Sequence, residues 1–348
     1  MFERKKKNLN NRSNMFFKRG NKHIAEVIAF LALAVVIALI AYTRFQSTQV
    51  PEETIFGVTF SANYARDLGL DWRKAFIDTL DDVGVRHFRI PVSWSDVEFE
   101  NGKFYWSDVD FMMDEAAARG ARVTLAVGRK VPRWPECYIP DWAERLGREY
   151  QNQEVLDFLE TVVMRYNDHP ALVRWQVENE PFFPFGECPP PDYELFTHEL
   201  DLVRSLSNKP VMITTSGEAE FWVESAIPAD VLGVSMYRVT WNELLGYFVF
   251  PLGPEFYRAK AALAEPFAHV IVSELQAEPF FRDSPKVMSI GDQTTSFPPE
   301  ELLENVAYAT QGGFDEIHLW GVEWWYFMKV NGNDGYWETA KELFLYDL

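Results

Sequence analysis

The sequence has few cysteines and lacks the short motifs that mark several common functions. Its 348 residues include two cysteines, Cys137 and Cys188, and neither has a metal-ligand spacing or the setting of a reactive thiol. No glycine-rich phosphate loop follows the first predicted strand, where the chain reads Gly57-Val-Thr-Phe-Ser61. The six histidines contain no H-x-H or H-E-x-x-H spacing. We therefore expect neither a dinucleotide cofactor nor a metal.

Basic residues are scarce beyond the first 44 positions. That segment has nine basic and two acidic residues, a net charge of +7, whereas the whole chain carries −19, which leaves −26 for residues 45–348. A body so acidic repels a phosphate backbone, so nucleic acid is not an expected partner. The same charge disfavours an anionic polysaccharide. The oligomeric state is not indicated by the sequence.

Aromatic side chains, in contrast, are abundant. They make up 16% of the residues, with 12 Trp and 28 Phe, and hydrophobic residues reach 47%. A sizeable core is therefore expected. Surplus aromatic side chains also line many concave ligand sites, sugar sites above all, although an aromatic-rich core explains the same numbers.

One long apolar run lies near the amino terminus. Residues 24–43 contain Glu26 as their one charged residue, and about 20 apolar residues can cross a bilayer as a helix. A basic tail, residues 1–23, precedes the run, so the positive-inside rule predicts a cytoplasmic tail, a transmembrane anchor and an extracytoplasmic remainder. A cleaved signal peptide and a buried soluble helix are the alternatives. Residues 44–54 are polar and predict a linker.

From residue 55 to the carboxyl terminus, short β-like runs alternate with longer helical patterns. The eight predicted strands are Ile55–Phe60, His87–Pro91, Val123–Val127, Val173–Val177, Val211–Thr215, Val231–Ser235, Val270–Ser273 and Glu316–Trp320. Successive strands start roughly 20 to 50 residues apart, which leaves room for a crossover helix each time. Eight such units predict a (β/α)₈ TIM barrel over residues 55–348, with a doubly wound open sheet as the alternative.

Polar residues gather at the predicted strand ends, where a barrel of this kind builds its active site. The residues of interest are Arg89 and Trp94 after strand 2, Glu178, Asn179 and Glu180 after strand 4, Tyr237 after strand 6, Glu274, Gln276 and Glu278 on strand 7, and Trp320 and Trp324 at strand 8. Two carboxyl groups across a barrel mouth suit glycosidic bond cleavage, because one protonates the leaving oxygen while the other meets the oxocarbenium-like carbon.

Three segments on predicted strands 4, 7 and 2 carry a family resemblance. They are NDHPALVRWQVENEP with Glu180, HVIVSELQAEPF with Glu274, and RHFRIPVSWSDVEFENGKFYWSDVD with Arg89. In this order they resemble the acid/base strand, the nucleophile strand and the second strand of clan A glycoside hydrolases, with a family 5-like pattern. The sequence departs from family 5 where a histidine is usual, at the AVGRK end of strand 3 and at Ser235.

The resemblance implies a retaining glycoside hydrolase that cleaves β-linked neutral oligo- or polysaccharides by double displacement. Glu180 would be the general acid/base and Glu274 the nucleophile. Asn179 would contact the 2-hydroxyl of the sugar, and Trp320 would form the apolar floor beneath it. The residues expected to bind or position the substrate are Arg89, Asn179, Tyr237, Trp320, Trp324 and Trp94.

Two further functions use the same features. A catalytically silent carbohydrate-binding barrel at the cell surface would need neither Glu180 nor Glu274, and a transglycosylase would use both. Cys137 and Cys188 fall in neighbouring loops on one face of the predicted barrel, so outside the cytoplasm they can form a disulfide.

Overall fold

A computed structural model describes residues 30, 51, 53–242, 244 and 246–345. The chain divides into two units, residues 1–49 and 50–348. The predicted tail and membrane anchor, residues 1–43, lie outside the described residues except for Phe30, as does most of the predicted linker. No helix within the described ranges combines the length and the apolar character that crossing a membrane requires.

Eight parallel strands close into a barrel, so the predicted (β/α)₈ fold is confirmed. The strands of the structure, in chain order, are β1 (Ile55–Thr59), β2 (His87–Pro91), β3 (Arg122–Val127), β4 (Leu172–Val177), β5 (Val211–Thr215), β6 (Val231–Met236), β7 (Val239–Asn242), β8 (Gly246–Val249), β9 (His269–Gln276) and β10 (Glu316–Trp320). The barrel order is β1-β2-β3-β4-β5-β6-β9-β10, and β10 closes on β1. All eight predicted strands form, with ends shifted by at most three residues.

Helices follow the strands and cover the outside of the barrel. The α-helices of the described chain are Ala62–Asp67, Trp72–Asp78, Trp94–Val97, Ser107–Ala118, Asp141–Glu144, Arg148–Tyr166, Tyr193–Leu206, Trp222–Ala226, Pro254–Ala264, Ile290–Ser296, Pro299–Gln311, Val322–Val330 and Gly335–Leu345. A π-helical turn, Thr79–Val83, and a 3₁₀ turn, Pro285–Val287, complete the set.

The first long crossover shows how local chemistry sets these boundaries. Asp71 caps its helix, because the carboxylate accepts the backbone N–H of Lys74. Trp72 and Phe76 bury the face that packs on the barrel. The helical backbone ends at Gly84, whose φ of 87° lies in the left-handed region that glycine adopts without steric cost.

The lower part of the barrel interior is polar, whereas branched apolar side chains usually fill it. Arg174 of β4 pairs with Glu316 of β10 and bonds Thr124 of β3 through Nε at 3.1 Å. His318 bonds Glu316 at 2.7 Å. Burial raises the pKa of Glu316, but hydrogen bonds from His318 and Arg174 outweigh that effect and lower it. Gly57 leaves the room for this layer, since a Cβ there would lie 2.7 Å from the His318 ring.

The strand pair β7–β8 is an antiparallel hairpin that the sequence did not predict. It follows β6 and lies on the side of the barrel where β6 ends. Gln276, the last residue of β9, ties the hairpin to the barrel by accepting the N–H groups of Arg238 and Val239 at 2.9 and 3.0 Å. The barrel mouth therefore has an added wall beside β6 and β9.

Candidate active site

Glu274 on β9 is held in one orientation by two donors. Nη1 of Arg89 lies 2.8 Å from Oε1, and the Tyr237 hydroxyl donates to Oε2 at 3.2 Å. The Glu274 side chain is buried and that of Arg89 is inaccessible. A guanidinium at this distance favours the ionised carboxylate. The ion pair thus presents an oriented anion at the mouth.

Arg89 also connects Glu274 to the end of β4. Its Nε donates to Oε1 of Gln176 at 2.6 Å, and its Nη2 donates to Oδ1 of Asn179 at 2.5 Å. One buried guanidinium therefore sets the positions of three acceptors from two strands. Since an arginine only donates, the Asn179 amide must turn its oxygen toward Arg89 and its nitrogen elsewhere.

The sequence Glu178-Asn179-Glu180 ends β4 in an uncommon backbone conformation. Glu178 has a φ of 57° and Glu180 a φ of 42°, both in the left-handed region. Two further non-glycine residues of the described chain share this property, Arg133 and Glu136, in the loop after β3. Residues held in such conformations cluster at functional sites.

Glu178 is a structural residue, which separates it from its neighbour Glu180. Its Oε1 accepts the N–H of Arg129 at 2.8 Å, and its Oε2 accepts the N–H of Lys130 at 2.7 Å. Gly128 permits this contact, because a Cβ there would come within 2.8 Å of Oε1. The carboxylate therefore fixes the start of the loop that follows β3.

Glu180 differs from Glu274 in its electrostatic surroundings. Its residue is 7% exposed. Burial raises its pKa well above the usual range, and the negative charges of Glu274 and then Glu136 raise it further, while Lys130 and a hydrogen bond with Ser235 act in the opposite direction. Glu180 therefore retains its proton at neutral pH and can donate it.

A third carboxyl group, Glu136, enters the site from the loop after β3. Nδ2 of Asn179 donates to its Oε2 at 2.9 Å, and the ammonium of Lys130 lies 4.0 Å from the same oxygen. Burial and the charge of Glu274 raise the pKa of Glu136 to about 8. Lys130 donates to the backbone oxygens of Glu180 and Phe183 at 3.0 and 2.9 Å.

The loops that follow β3 and β4 are joined by a disulfide. Cys137 and Cys188 are bonded with an S–S length of 2.06 Å and a Cα–Cα distance of 5.2 Å. Cys137 directly follows Glu136, and Cys188 lies in the loop that begins with Glu180. The bond therefore ties two acidic residues of the site to each other through their loops.

Trp320 lies at the end of β10, at the barrel mouth, and one face of its ring is covered. The Arg133 guanidinium lies 4.1 Å from the ring centroid of Trp320 and 4.1 Å from that of Tyr64. Arg133 also forms buried ion pairs with Glu278 and Glu323. Because an arginine already stacks on one face, any sugar must use what the cluster leaves accessible.

Two of the predicted sugar-binding tryptophans lie in the core and not at the site. Trp324 is inaccessible in the helix Val322–Val330, bonds Gln293 through its indole nitrogen at 2.7 Å and packs on Tyr336. Trp94 is equally buried and donates to Glu98 at 2.9 Å. Both indoles therefore serve packing, and the interpretation of these two residues as substrate contacts is corrected.

Glu136 and Arg133 were missed because attention went to the residues directly at strand ends. Glu136 lies nine positions beyond Val127, the last residue of β3. The signal that could have found it is the Pro-Glu-Cys run, Pro135 to Cys137, because a cysteine that pairs with the next βα loop brings its neighbour toward the mouth.

The comparisons with known proteins agree with this architecture. Residues 51–187 match the family model Cellulase (glycosyl hydrolase family 5), which includes Glu180 and ends before Glu274. Among curated protein sequences, none matches.

Solved structures with this fold are glycoside hydrolases of low sequence identity. The GH5_18 protein from Bifidobacterium longum has a TM-score of 0.57 at 14% identity, covering 84% of this chain and 79% of that one. For GH5_18 from Streptomyces cattleya in complex with GlcNAc, the values are 0.52, 15%, 77% and 70%. For the β-galactosidase from Bacillus circulans sp. alkalophilus they are 0.53, 11%, 78% and 51%, so this chain spans about half of that enzyme's length.

The barrel, with two differently charged carboxyl groups at its mouth, defines the chain as a glycosidase-type barrel protein. The family-model match over residues 51–187 supports the same class. The chain is identified as a clan A glycoside hydrolase, family 5-like, as the three sequence segments indicated.

Replacing Glu180 should stabilise the protein in a pH-dependent manner. The folded pKa of Glu180 is raised, so the stability that this carboxyl contributes is complete below its unfolded pKa and is lost as the pH rises through the folded pKa. We expect Glu180→Gln to match the wild type near pH 4.5 and to exceed it by about 1–3 kcal/mol at pH 8. Urea unfolding of both proteins at the two pH values measures this difference.

Glu178→Gln is the matched control for this experiment. It removes one acceptor of two buried backbone N–H groups, so it should destabilise the protein by about 1–3 kcal/mol at pH 8. Equal effects of the two substitutions would contradict the different roles given to these neighbouring glutamates.

Loss of the disulfide should destabilise the loops more than the barrel. The bond closes a separation of 51 residues, and a loop of this length stabilises the fold by about 2–4 kcal/mol. We expect the double variant Cys137→Ser, Cys188→Ser to unfold at lower temperature and to be cut by trypsin first after Arg129, Lys130 or Arg133. Peptide mapping of native-state digests measures this order, and first cleavage within the barrel strands would refute it.

Proposed function

We propose that this chain is a retaining glycoside hydrolase that cleaves β-linked neutral oligo- or polysaccharides. The observation that carries the proposal is the contrast between two carboxyl groups at one mouth. Glu274 is paired with Arg89 and Tyr237, whereas the pKa of Glu180 is raised well above its usual range by burial and by neighbouring charges. Such a contrast assigns a nucleophile and an acid.

In the first step, a carboxylate oxygen of Glu274 forms a bond to the anomeric carbon while the bond from that carbon to the leaving oxygen breaks. The proton of Glu180 passes to the leaving oxygen. The glycosyl group is then held as an ester of Glu274. Arg89 keeps Glu274 oriented toward the reacting carbon before this bond forms.

In the second step, Glu180 is a carboxylate and accepts a proton from water. The water oxygen bonds to the anomeric carbon, and the ester bond to Glu274 breaks. Neutralisation of Glu274 in the intermediate removes the charge that helped to raise the pKa of Glu180. The same residue can therefore act first as acid and then as base.

The substrate class follows from charge and from the solved relatives. Residues 45–348 carry a net charge of −26, which repels polyanions. The proteins with this fold include a β-galactosidase and one in complex with GlcNAc, and both names refer to neutral sugars. A silent carbohydrate-binding barrel would have no use for the raised pKa of Glu180.

Anomeric product analysis tests this mechanism. By ¹H NMR, the purified domain acting on aryl β-glycosides and on β-glucan, β-mannan and β-xylan should first release the β-anomer. We expect Glu274→Ala to lower kcat by at least about 10⁴-fold, because no covalent intermediate can form. Glu180→Ala should remain active on substrates whose leaving groups need no protonation, and added azide should trap a β-glycosyl azide.

The outcomes of this test separate the rival functions. First release of the α-anomer would contradict double displacement. Full activity of Glu274→Ala would contradict the nucleophile assignment. A product mixture dominated by glycosyl transfer to sugar acceptors would indicate a transglycosylase with the same residues.

We also propose that residues 24–43 anchor the enzyme with its barrel outside the cytoplasm. The Cys137–Cys188 disulfide supports this location, since disulfides persist in oxidising compartments. In a bacterial host, the full chain should stay in carbonate-washed membranes and be digested by protease added to spheroplasts. A soluble product shortened by its first residues would indicate a cleaved signal peptide instead.

A further inference from the structure

The double-displacement mechanism uses Glu180 and Glu274 and leaves Glu136 without a role. The Glu136 residue is 4% exposed and lies close enough to both other glutamates to raise the pKa of Glu180 and to have its own pKa raised by Glu274. A third buried carboxyl group in one site is costly unless it has partners. Its presence calls for a function.

Glu136 is not held by a structural ion pair. The Lys130 ammonium is 4.0 Å from the carboxyl, beyond hydrogen-bond distance, and donates to backbone oxygens of Glu180 and Phe183. Within the part of the chain that the structure describes, Asn179 supplies the hydrogen bond to this carboxyl group. The group therefore faces the site with bonding capacity in reserve.

The orientation of the Asn179 amide is determined by its neighbours. Its Oδ1 accepts Nη2 of Arg89 at 2.5 Å and Nε2 of Gln176 at 3.2 Å. Its Nδ2 donates one hydrogen to Glu136, and an amide nitrogen carries two. A group that approaches Asn179 thus meets an N–H donor next to a carboxyl group.

This pair of groups matches a hydroxyl better than other sugar substituents. A hydroxyl accepts from Asn179, and it can donate to the Glu136 carboxylate or accept from the protonated acid. An ammonium cannot accept from Asn179, and a hydrogen substituent can do neither. Because Asn179 is bonded to Arg89, which holds Glu274, the group in question sits next to the reacting carbon.

We propose that Glu136 is a specificity-determining residue that, together with Asn179, selects sugars with a free hydroxyl on the carbon next to the anomeric carbon. This inference rests on the proposed function. It names the substrate class further: unmodified hexosides or pentosides, with 2-amino and 2-deoxy sugars excluded.

The loop around Glu136 is built to keep the carboxyl in place. Cys137 is covalently bonded to Cys188, and Gly186 packs so closely that a Cβ there would lie 2.6 Å from the Cβ of Glu136. The backbone of Glu136 has a φ of 74°. A contact fixed before substrate arrives requires no reorganisation when the substrate binds.

Matched substrates test the inference. Aryl β-glycosides of one sugar with a 2-hydroxyl, a 2-deoxy or a 2-amino-2-deoxy carbon are compared by kcat/KM for wild type and Glu136→Met, a replacement of similar length that neither donates nor accepts. We expect the variant to lose about 10–100-fold on the 2-hydroxyl substrate and less than about threefold on the 2-deoxy substrate. Comparing variants on one substrate cancels its intrinsic reactivity.

Two further variants guard against a purely structural effect. Glu136→Gln keeps an acceptor for Asn179 and should show a smaller loss on the 2-hydroxyl substrate. Glu199→Met replaces another buried glutamate, on the helix Tyr193–Leu206, and should leave the ratio between the two substrates unchanged. Circular dichroism melting of each variant confirms that it is folded.

The results distinguish this inference from the proposed function. Equal losses of Glu136→Met on both substrates, or a wild type that prefers the 2-amino sugar, would overturn the role of Glu136 while hydrolysis stands. A folded wild type that hydrolyses none of the substrates would overturn the proposed function itself, and this inference with it.

Discussion

The fully buried guanidinium of Arg89 is the interaction on which the rest of the site depends. It joins β2 to β9 through Glu274 and to β4 through Gln176 and Asn179. A buried arginine is tolerated only when its donors are satisfied, so the three acceptors and the cation require one another. The identity of the nucleophile, the direction of the Asn179 amide and the place of Glu136 all follow from this one arrangement.

The site divides its carboxyl groups by surroundings and not by sequence position. Glu178 and Glu180 are separated by one residue, yet the first accepts two backbone N–H groups and the second is raised in pKa by burial and by like charges. The left-handed backbone at both positions turns the two side chains in different directions. Local backbone geometry therefore assigns chemical roles that composition alone leaves equal.

The barrel, its strands and the pairing of Arg89 with Glu274 could be predicted because they depend on short-range patterns and on the geometry of strand ends. The hairpin β7–β8 could not, since its stability comes from contacts with Gln276 that are remote in sequence. Trp324 and Trp94 were misinterpreted for a related reason. A tryptophan beside a strand end looks the same in sequence whether it faces the mouth or the core, and helix packing decides. Glu136 reaches the site through a long loop whose path depends on a disulfide and on backbone conformations that sequence patterns do not specify.

The four left-handed non-glycine residues also limit how this protein can be engineered. Arg133, Glu136, Glu178 and Glu180 occupy backbone positions where glycine would lower the conformational free energy. A stability screen that favours the best local residue at each position would select glycine at these sites and erase the chemistry. Improvement in heat resistance must therefore come from the outer helices, and the loops after β3 and β4 should be left as they are.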